Sequence, residues 1–128
     1  MRISIAALVC AGSLFATAAY ADDPLANTYA NTVTTKSEKT GAVGKLLFNA
    51  DGTYTASATD AKGQPVNYGG VWTLKDSGAT ICLAPKLPAG SPGSAPSCSP
   101  LSKHAVGDSW TTTNDQGETF DVSIVAGR

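Results

Sequence analysis

The chain has 128 residues, with nine Lys and Arg against ten Asp and Glu, and a formal net charge of −1. Such a balance, without a basic cluster, argues against nucleic acid as a partner. The length is sufficient for one domain with one modest hydrophobic core.

The N-terminus has the three parts of a secretory signal peptide. Arg2 carries a positive charge, residues 3–18 form an apolar run, and Ala19-Tyr20-Ala21 is a small-x-small cleavage site. The run is shorter than the ~20 residues that span a bilayer. We therefore predict cleavage after Ala21, which leaves residues 22–128 as a single exported domain, periplasmic or secreted, without a membrane span.

The cysteines predict one disulfide. Cys10 leaves with the signal peptide, and Cys82 and Cys98 remain as an even pair in an exported chain. A redox pair or a metal site is the alternative, but the spacing differs from Cys-x-x-Cys and the chain has a single His. We predict no metal and no cofactor. The disulfide would close a proline-rich surface loop over residues 82–98.

The first half of the domain predicts strands joined by tight turns. Residues 22–27 are a short polar lead-in, and Thr and β-branched residues over 28–35 favour a strand. The clearest hairpin signal covers residues 45–57, where Asp51-Gly52 forms the turn. In the next strand, over residues 64–75, Gly69-Gly70 predicts a bulge or a bend.

The second half continues this pattern. Asp76-Ser77-Gly78 is a turn before a strand at residues 80–83, and the proline-rich stretch follows. Residues 101–106 are interpreted as a short strand and 109–113 as another. The last strand has Phe120, Val122 and Ile124 on one face and polar residues on the other.

These elements give an all-β fold, an antiparallel up-and-down meander of about 7–8 strands. A barrel is favoured over a sandwich because nearly every connection has hairpin length. The predicted inward-facing side chains are Leu46, Phe48, Tyr54, Tyr68, Trp72, Leu74, Ile81, Leu83, Trp110, Phe120, Val122 and Ile124.

Five aromatic residues are the candidates for lining a ligand site or for filling the core. An eight-stranded barrel has room for packed side chains or for one small ligand, and both remain open. The five are Tyr54, Tyr68, Trp72, Trp110 and Phe120.

One short segment contains the residue types of a hydrolytic triad. Ser102 and His104 lie close to Asp108, but no Gly-x-Ser-x-Gly turn accompanies them. The aspartates elsewhere lie in predicted turns, where their side chains usually bond the backbone. We therefore predict that the protein is not an enzyme, with a small hydrolase as an alternative.

The chain resembles a group of small exported bacterial proteins that carry Asp-Gly-Thr-Tyr, Gly-x-Trp-Thr, two cysteines and a Gly-Arg ending. The resemblance covers nearly all of the mature chain. It rests on Asp51-Gly-Thr-Tyr54-Thr, Gly70-Val-Trp72-Thr-Leu-Lys75, Cys82-Leu83, Cys98, Gly107-Asp-Ser-Trp110 and Val125-Ala-Gly-Arg128.

More distantly, the chain is similar to calycins, the lipocalin-like barrels, although their Gly-x-Trp lies on the first strand and Gly70-Val-Trp72 lies mid-chain. Because the candidate strands come without a catalytic constellation, we predict a monomeric, non-enzymatic binding or envelope protein, with a small apolar ligand or a protein as its partner. Calycin-type periplasmic protease inhibitors act through their N-terminal segment, so inhibition is a second alternative, with Asp22 to Ala26 as the counterpart.

Overall fold

The computed structural model describes residues 23–59, 62–88, 90–91 and 94–128. The predicted signal peptide, residues 1–21, lies outside these residues. No helix in the described part of the chain is long and apolar enough to cross a bilayer. The strands are β1 Thr32–Ser37, β2 Val43–Phe48, β3 Thr53–Thr59, β4 Pro65–Lys75, β5 Thr80–Pro85, β6 Ser97–Pro100, β7 Ser109–Thr113 and β8 Thr119–Val125.

All eight strands form one antiparallel sheet in the order β6-β5-β4-β3-β2-β1-β8-β7. Because β8 pairs with β1, the meander curls back on itself and brings β7 beside β6. Turn residues bridge this seam: the Asp115 amide donates to the Cys98 carbonyl over 2.9 Å, and Gln116 Nε2 donates to the Pro96 carbonyl over 3.1 Å. The prediction of an all-β, up-and-down barrel is confirmed, and the barrel is nearly closed.

The predicted disulfide is also confirmed. Cys82 on β5 lies directly opposite Cys98 on β6, and their sulfurs are 2.03 Å apart. Ile81 and Leu83, the neighbours of Cys82, line the barrel interior, so strand alternation puts the sulfur bridge on the outer face. The bridge therefore holds the edge strand β6 to the rest of the sheet.

Alternation along the strands produces the hydrophobic core. Phe48 and Tyr54 are opposed residues of β2 and β3 with ring centroids 6.0 Å apart, and they pack inside the barrel with residues of β8. The buried core residues are Leu25, Val33, Phe48, Tyr54, Ala56, Ile81, Val122 and Ile124.

The hairpin turn between β2 and β3 forms as predicted. Gly52 has a φ of +94°, which an L side chain rarely adopts, and its amide donates to the Asn49 carbonyl. Asp51 Oδ1 accepts hydrogen bonds from both the amide and the hydroxyl of Thr53, at 3.0 and 2.6 Å. These bonds also lower the pKa of the Asp51 carboxyl. This aspartate has the structural role expected of a turn residue.

The N-terminal lead-in differs from the prediction. A 3-10 helix spans Ala26–Thr28, the first strand begins at Thr32, and Leu25 is only 2% exposed. The Leu25 amide donates to Asp23 Oδ1, while its carbonyl accepts from Thr28 Oγ1 over 2.7 Å. The segment is thus folded into one end of the barrel, because burial of Leu25 removes a large apolar side chain from water.

Two further local predictions were wrong. Residues 101–105 are the irregular connection between β6 and β7 rather than a strand. The pairing of β3 with β4 runs without a break through Gly69 and Gly70, so no bulge occurs there. Gly70 is instead required because the ring of Tyr54 lies where its side chain would be.

Candidate ligand-binding site

The barrel encloses a cavity of about 340 Å³. This volume is at the lower end of the ~300–1,000 Å³ typical of small-molecule sites. Most of its wall is apolar and comes from β1 to β5 and β8. The apolar side chains of those strands in the wall are Val33, Leu46, Phe48, Tyr54, Tyr68, Ile81, Leu83, Pro85, Phe120, Val122 and Ile124.

The N-terminal segment closes one end of the cavity. Leu25 and Thr28 are both buried and both belong to the lining. Asn27 Nδ2 donates to the carbonyl of His104 over 2.8 Å, which ties this segment to the β6–β7 connection. The lining at the opposite end includes the exposed residues Gln116 and Glu118, so the mouth lies beside the β7–β8 turn.

Of the five candidate aromatic residues, four lie in the cavity lining: Tyr54, Tyr68, Trp110 and Phe120. Trp72 does not. Its Nε1 donates to the carbonyl of Asn49 over 2.9 Å, and its ring stacks on Tyr29 with centroids 6.4 Å apart. The Tyr29 hydroxyl in turn donates to Asp23 Oδ2 over 2.7 Å. Trp72 therefore helps to anchor the N-terminal segment.

One side of the cavity is polar, and sequence reasoning missed it. Ser97 and Ser99 on β6 and Thr112 on β7 belong to the lining, followed by Asn114 and Gln116. Alternation with Trp110 marks Thr112 as inward-facing and was the available signal. These small hydroxyl residues were missed because only apolar residues were predicted to face the interior of the barrel.

Most polar groups of this wall that approach the turn already have partners. Asn114 Oδ1 accepts from the amides of Gln116 and Glu118, each over 2.9 Å. Thr112 is different: its Oγ1 is buried and has no hydrogen-bond partner within the described part of the chain. A buried hydroxyl without a partner is destabilising. The Thr112 side chain belongs to the cavity lining, so a rotation about its χ1 angle is what would bring this hydroxyl to the cavity surface.

The predicted hydrolase residues come together at the β6–β7 connection. Ser102 Oγ lies 3.0 Å from His104 Nε2, and the imidazole stacks on Trp110 with centroids 3.5 Å apart. Asp108 Oδ2 lies 3.7 Å from His104 Nδ1, beyond hydrogen-bond length, and accepts instead from the Ala105 amide over 2.8 Å. The contacts of Asp108 thus shape the connection rather than orient the imidazole.

Burial sets the proton affinity of the tyrosines. Burial raises the pKa of Tyr54 from the ordinary 10.0 to about 12, with a smaller contribution from the charge of Tyr68. Burial also raises the pKa of Tyr68, and burial together with the carboxylate of Asp23 raises that of Tyr29. The native barrel therefore retains phenol protons that the unfolded chain releases.

Alkaline pH is accordingly expected to destabilise the protein. Stability from Tyr54 is fully present below pH 10.0 and is lost as pH rises through about 12, since the unfolded state loses its proton first. The Tyr54→Phe variant, which lacks the titrating hydroxyl, should lose stability less steeply over this range. Urea unfolding of both proteins between pH 9 and 12 measures the difference. If the free energies of unfolding of the two proteins fell in parallel with pH, the alkaline loss of stability could not be assigned to Tyr54.

Among the described residues, no group of three or more His, Cys, Asp or Glu side chains is placed to hold a metal ion. Comparison of the chain with protein-family models, curated proteins and solved structures finds no match.

Proposed function

We propose that this protein is an exported, non-enzymatic binding protein that holds a small apolar molecule inside its barrel. The observation that carries the proposal is the cavity of about 340 Å³ with its largely apolar and aromatic wall. The disulfide is consistent with export, because such bonds persist in oxidising compartments. Residues 1–21, as a signal peptide, would deliver the chain there.

The size of the cavity supports a ligand over a solidly filled core. Protein interiors pack as densely as organic crystals, and voids larger than a water molecule are few. Tyr54, Tyr68, Trp110 and Phe120 would supply the large contact area that a small apolar molecule needs.

Protease inhibition is the second candidate and depends on the N-terminal segment, residues 22–26. The contacts of this segment favour ligand binding instead. Leu25 is buried in the core, and Asp23 bonds both the Leu25 amide and the Tyr29 hydroxyl. An inserting arm would have to break these contacts, which gives it a free-energy cost that a free extension lacks.

Hydrolysis is a third candidate, and the 3.0 Å approach of Ser102 Oγ to His104 Nε2 is the observation in its favour. A nucleophilic serine also needs its base oriented by a third group, and Asp108 is 3.7 Å away with a backbone amide as its partner. These contacts make ligand binding the better proposal.

The binding proposal is tested with the mature protein, residues 22–128, and the uncharged fluorophore N-phenylnaphthylamine. We expect saturable one-to-one binding with a rise and a blue shift in its emission. Ser99→Phe, which adds a ring to the cavity wall, should weaken binding about tenfold or more. Thr111→Phe is the matched control, since Thr111 is exposed on the adjacent strand β7.

Four results would contradict the proposal. Two concern binding: the absence of saturable binding to the wild-type protein, and equal weakening of binding by the two phenylalanine substitutions. Hydrolysis of a p-nitrophenyl ester by the wild type but not by His104→Ala would favour the hydrolase. Inhibition of co-exported proteases that disappears when residues 22–26 are deleted would favour the inhibitor.

A further inference from the structure

We infer that the cavity selects an uncharged amphipathic molecule, which bonds Thr112 through one hydroxyl or carbonyl group and lays its apolar body against the opposite wall. This inference rests on the proposed binding function and names the class of ligand. Three features of the lining carry it: the separation of polar from apolar side chains, the charge of the wall, and the partnerless hydroxyl of Thr112.

Polar side chains are concentrated on one side of the lining. The strands at the seam, β6 and β7, contribute Ser97, Ser99 and Thr112, beside the apolar Pro100 and Trp110. The lining residues of β1 to β5 and β8 are apolar apart from Thr35. A molecule that is apolar all round would leave this polar side without hydrogen-bond partners, at a cost in free energy. A molecule with one polar group can satisfy it while its remaining surface contacts the apolar wall. The polar group is thus directed toward the seam.

In the part of the chain that the structure describes, the wall offers no Lys or Arg side chain to receive a carboxylate. Glu118 is ionisable but has the same sign of charge as a fatty acid anion. His104 directs its two ring nitrogens toward Ser102 and Asp108, at 3.0 and 3.7 Å. An anionic head group placed against the polar seam would therefore lose its hydration without gaining an ion pair, which disfavours that placement strongly.

Thr112 supplies the specific contact. Its Oγ1 is buried and lacks a partner in the described residues, and the side chain lies between Trp110 and Asn114 on the inner face of β7. A hydroxyl both donates and accepts, so it can bond either a ligand hydroxyl or a ligand carbonyl. A ligand reaches this hydroxyl through a rotation of the Thr112 side chain toward the cavity. Because the group is already desolvated in the empty protein, the bond then forms without a further desolvation cost for the threonine.

The test compares decanol with decanoate at pH 7, each displacing N-phenylnaphthylamine from the mature protein. These two probes have the same number of carbon atoms and differ in the head group. We expect decanol to bind at least about tenfold more tightly than decanoate. Thr112→Val, which replaces the hydroxyl by a methyl group of similar size, should weaken decanol binding about fivefold. Ligand-free Thr112→Val should be at least as stable as the wild type, which excludes a loss of folding as the cause of weaker binding.

The outcomes separate the inference from the function on which it rests. If the fluorophore binds but decanol and decanoate compete equally, selection for an uncharged ligand is wrong and the binding function stands. If decanol binds equally to the wild type and to Thr112→Val, the role of the hydroxyl is wrong. If neither the fluorophore nor either probe binds, the binding function itself fails.

Discussion

Simultaneous replacement of Cys82 and Cys98 by serine is expected to lower the free energy of unfolding by roughly 3 kcal/mol, since the bridge closes a loop of about 15 residues in the unfolded chain. The native position of the bridge adds to the effect. It joins opposed residues of β5 and β6, and β6 is an edge strand of four residues. Urea unfolding followed by far-ultraviolet circular dichroism measures the loss.

The same substitution should weaken the closure of the barrel. The Cys98 backbone accepts from the Asp115 amide and donates to Asp115 Oδ1, over 2.9 and 3.1 Å, and these bonds span the seam between β6 and β7. If β6 separates from β5, the polar side chains that β6 contributes to the cavity wall are no longer held in place. N-phenylnaphthylamine should therefore bind more weakly to the double-serine protein.

Reductant provides the control for the disulfide prediction. Dithiothreitol should destabilise the wild type to the level of the double-serine variant and leave that variant unchanged. Asp115→Ala, which keeps the bridge and removes one bond across the seam, should show a smaller loss. Equal stability of the wild type and the double-serine variant would contradict the expectation that the bridge contributes measurably to folding.

The parts of the fold that sequence patterns predicted are those set by local rules. Alternation over β8 separates the buried Val122 and Ile124 from the exposed Asp121 and Val125. The turn at Asp51-Gly52 follows from a positive φ and a side chain that bonds its own backbone. Short connections then allow few topologies other than a meander. Cysteine pairing followed from an even count in an exported chain.

The parts that were missed depend on contacts between distant segments. Nothing in residues 22–27 indicates that Leu25 fits the open end of a barrel, because that end exists only after β8 has paired with β1. The polar wall was missed for a related reason. Strand alternation turns Ser99 and Thr112 inward, but the sequence does not show that β6 and β7 meet at a seam, where these small side chains border the cavity.

Gly70 is a residue whose role depends on a contact with a residue distant in the sequence and not on the local pattern. Two adjacent glycines in a strand usually indicate a bulge, yet here the register of β3 and β4 pairs Gly70 with Tyr54 without interruption. The Tyr54 side chain, 2% exposed, occupies the space above this glycine. Sequence alone shows the glycine but not the ring that requires it.

Substitution of Gly70 by alanine is therefore expected to be severely destabilising, by about 3 kcal/mol, at the upper end of the usual cost of overpacking. A Cβ atom at this position would lie 2.6 Å from the Ala84 carbonyl oxygen and 2.7 Å from two ring carbons of Tyr54. Neither neighbour can move freely, since one is backbone of β5 and the other is packed against Phe48. Urea unfolding of the mature protein gives the change in stability.

Gly69→Ala is the matched control for this prediction, because it adds the same methyl group one residue earlier, on the opposite face of β4. There the Cβ would lie 3.3 Å from the Tyr54 carbonyl oxygen, and alanine is otherwise favoured over glycine within a strand by roughly 0.5–1 kcal/mol. We expect the free energy of unfolding of Gly69→Ala to stay within about 1 kcal/mol of the wild type.

Since Tyr54 also forms part of the cavity wall, Gly70→Ala should lower both stability and N-phenylnaphthylamine affinity, whereas Gly69→Ala should leave that affinity unchanged. Equal stability of the two variants would contradict the claim that packing of the Tyr54 ring requires glycine at position 70.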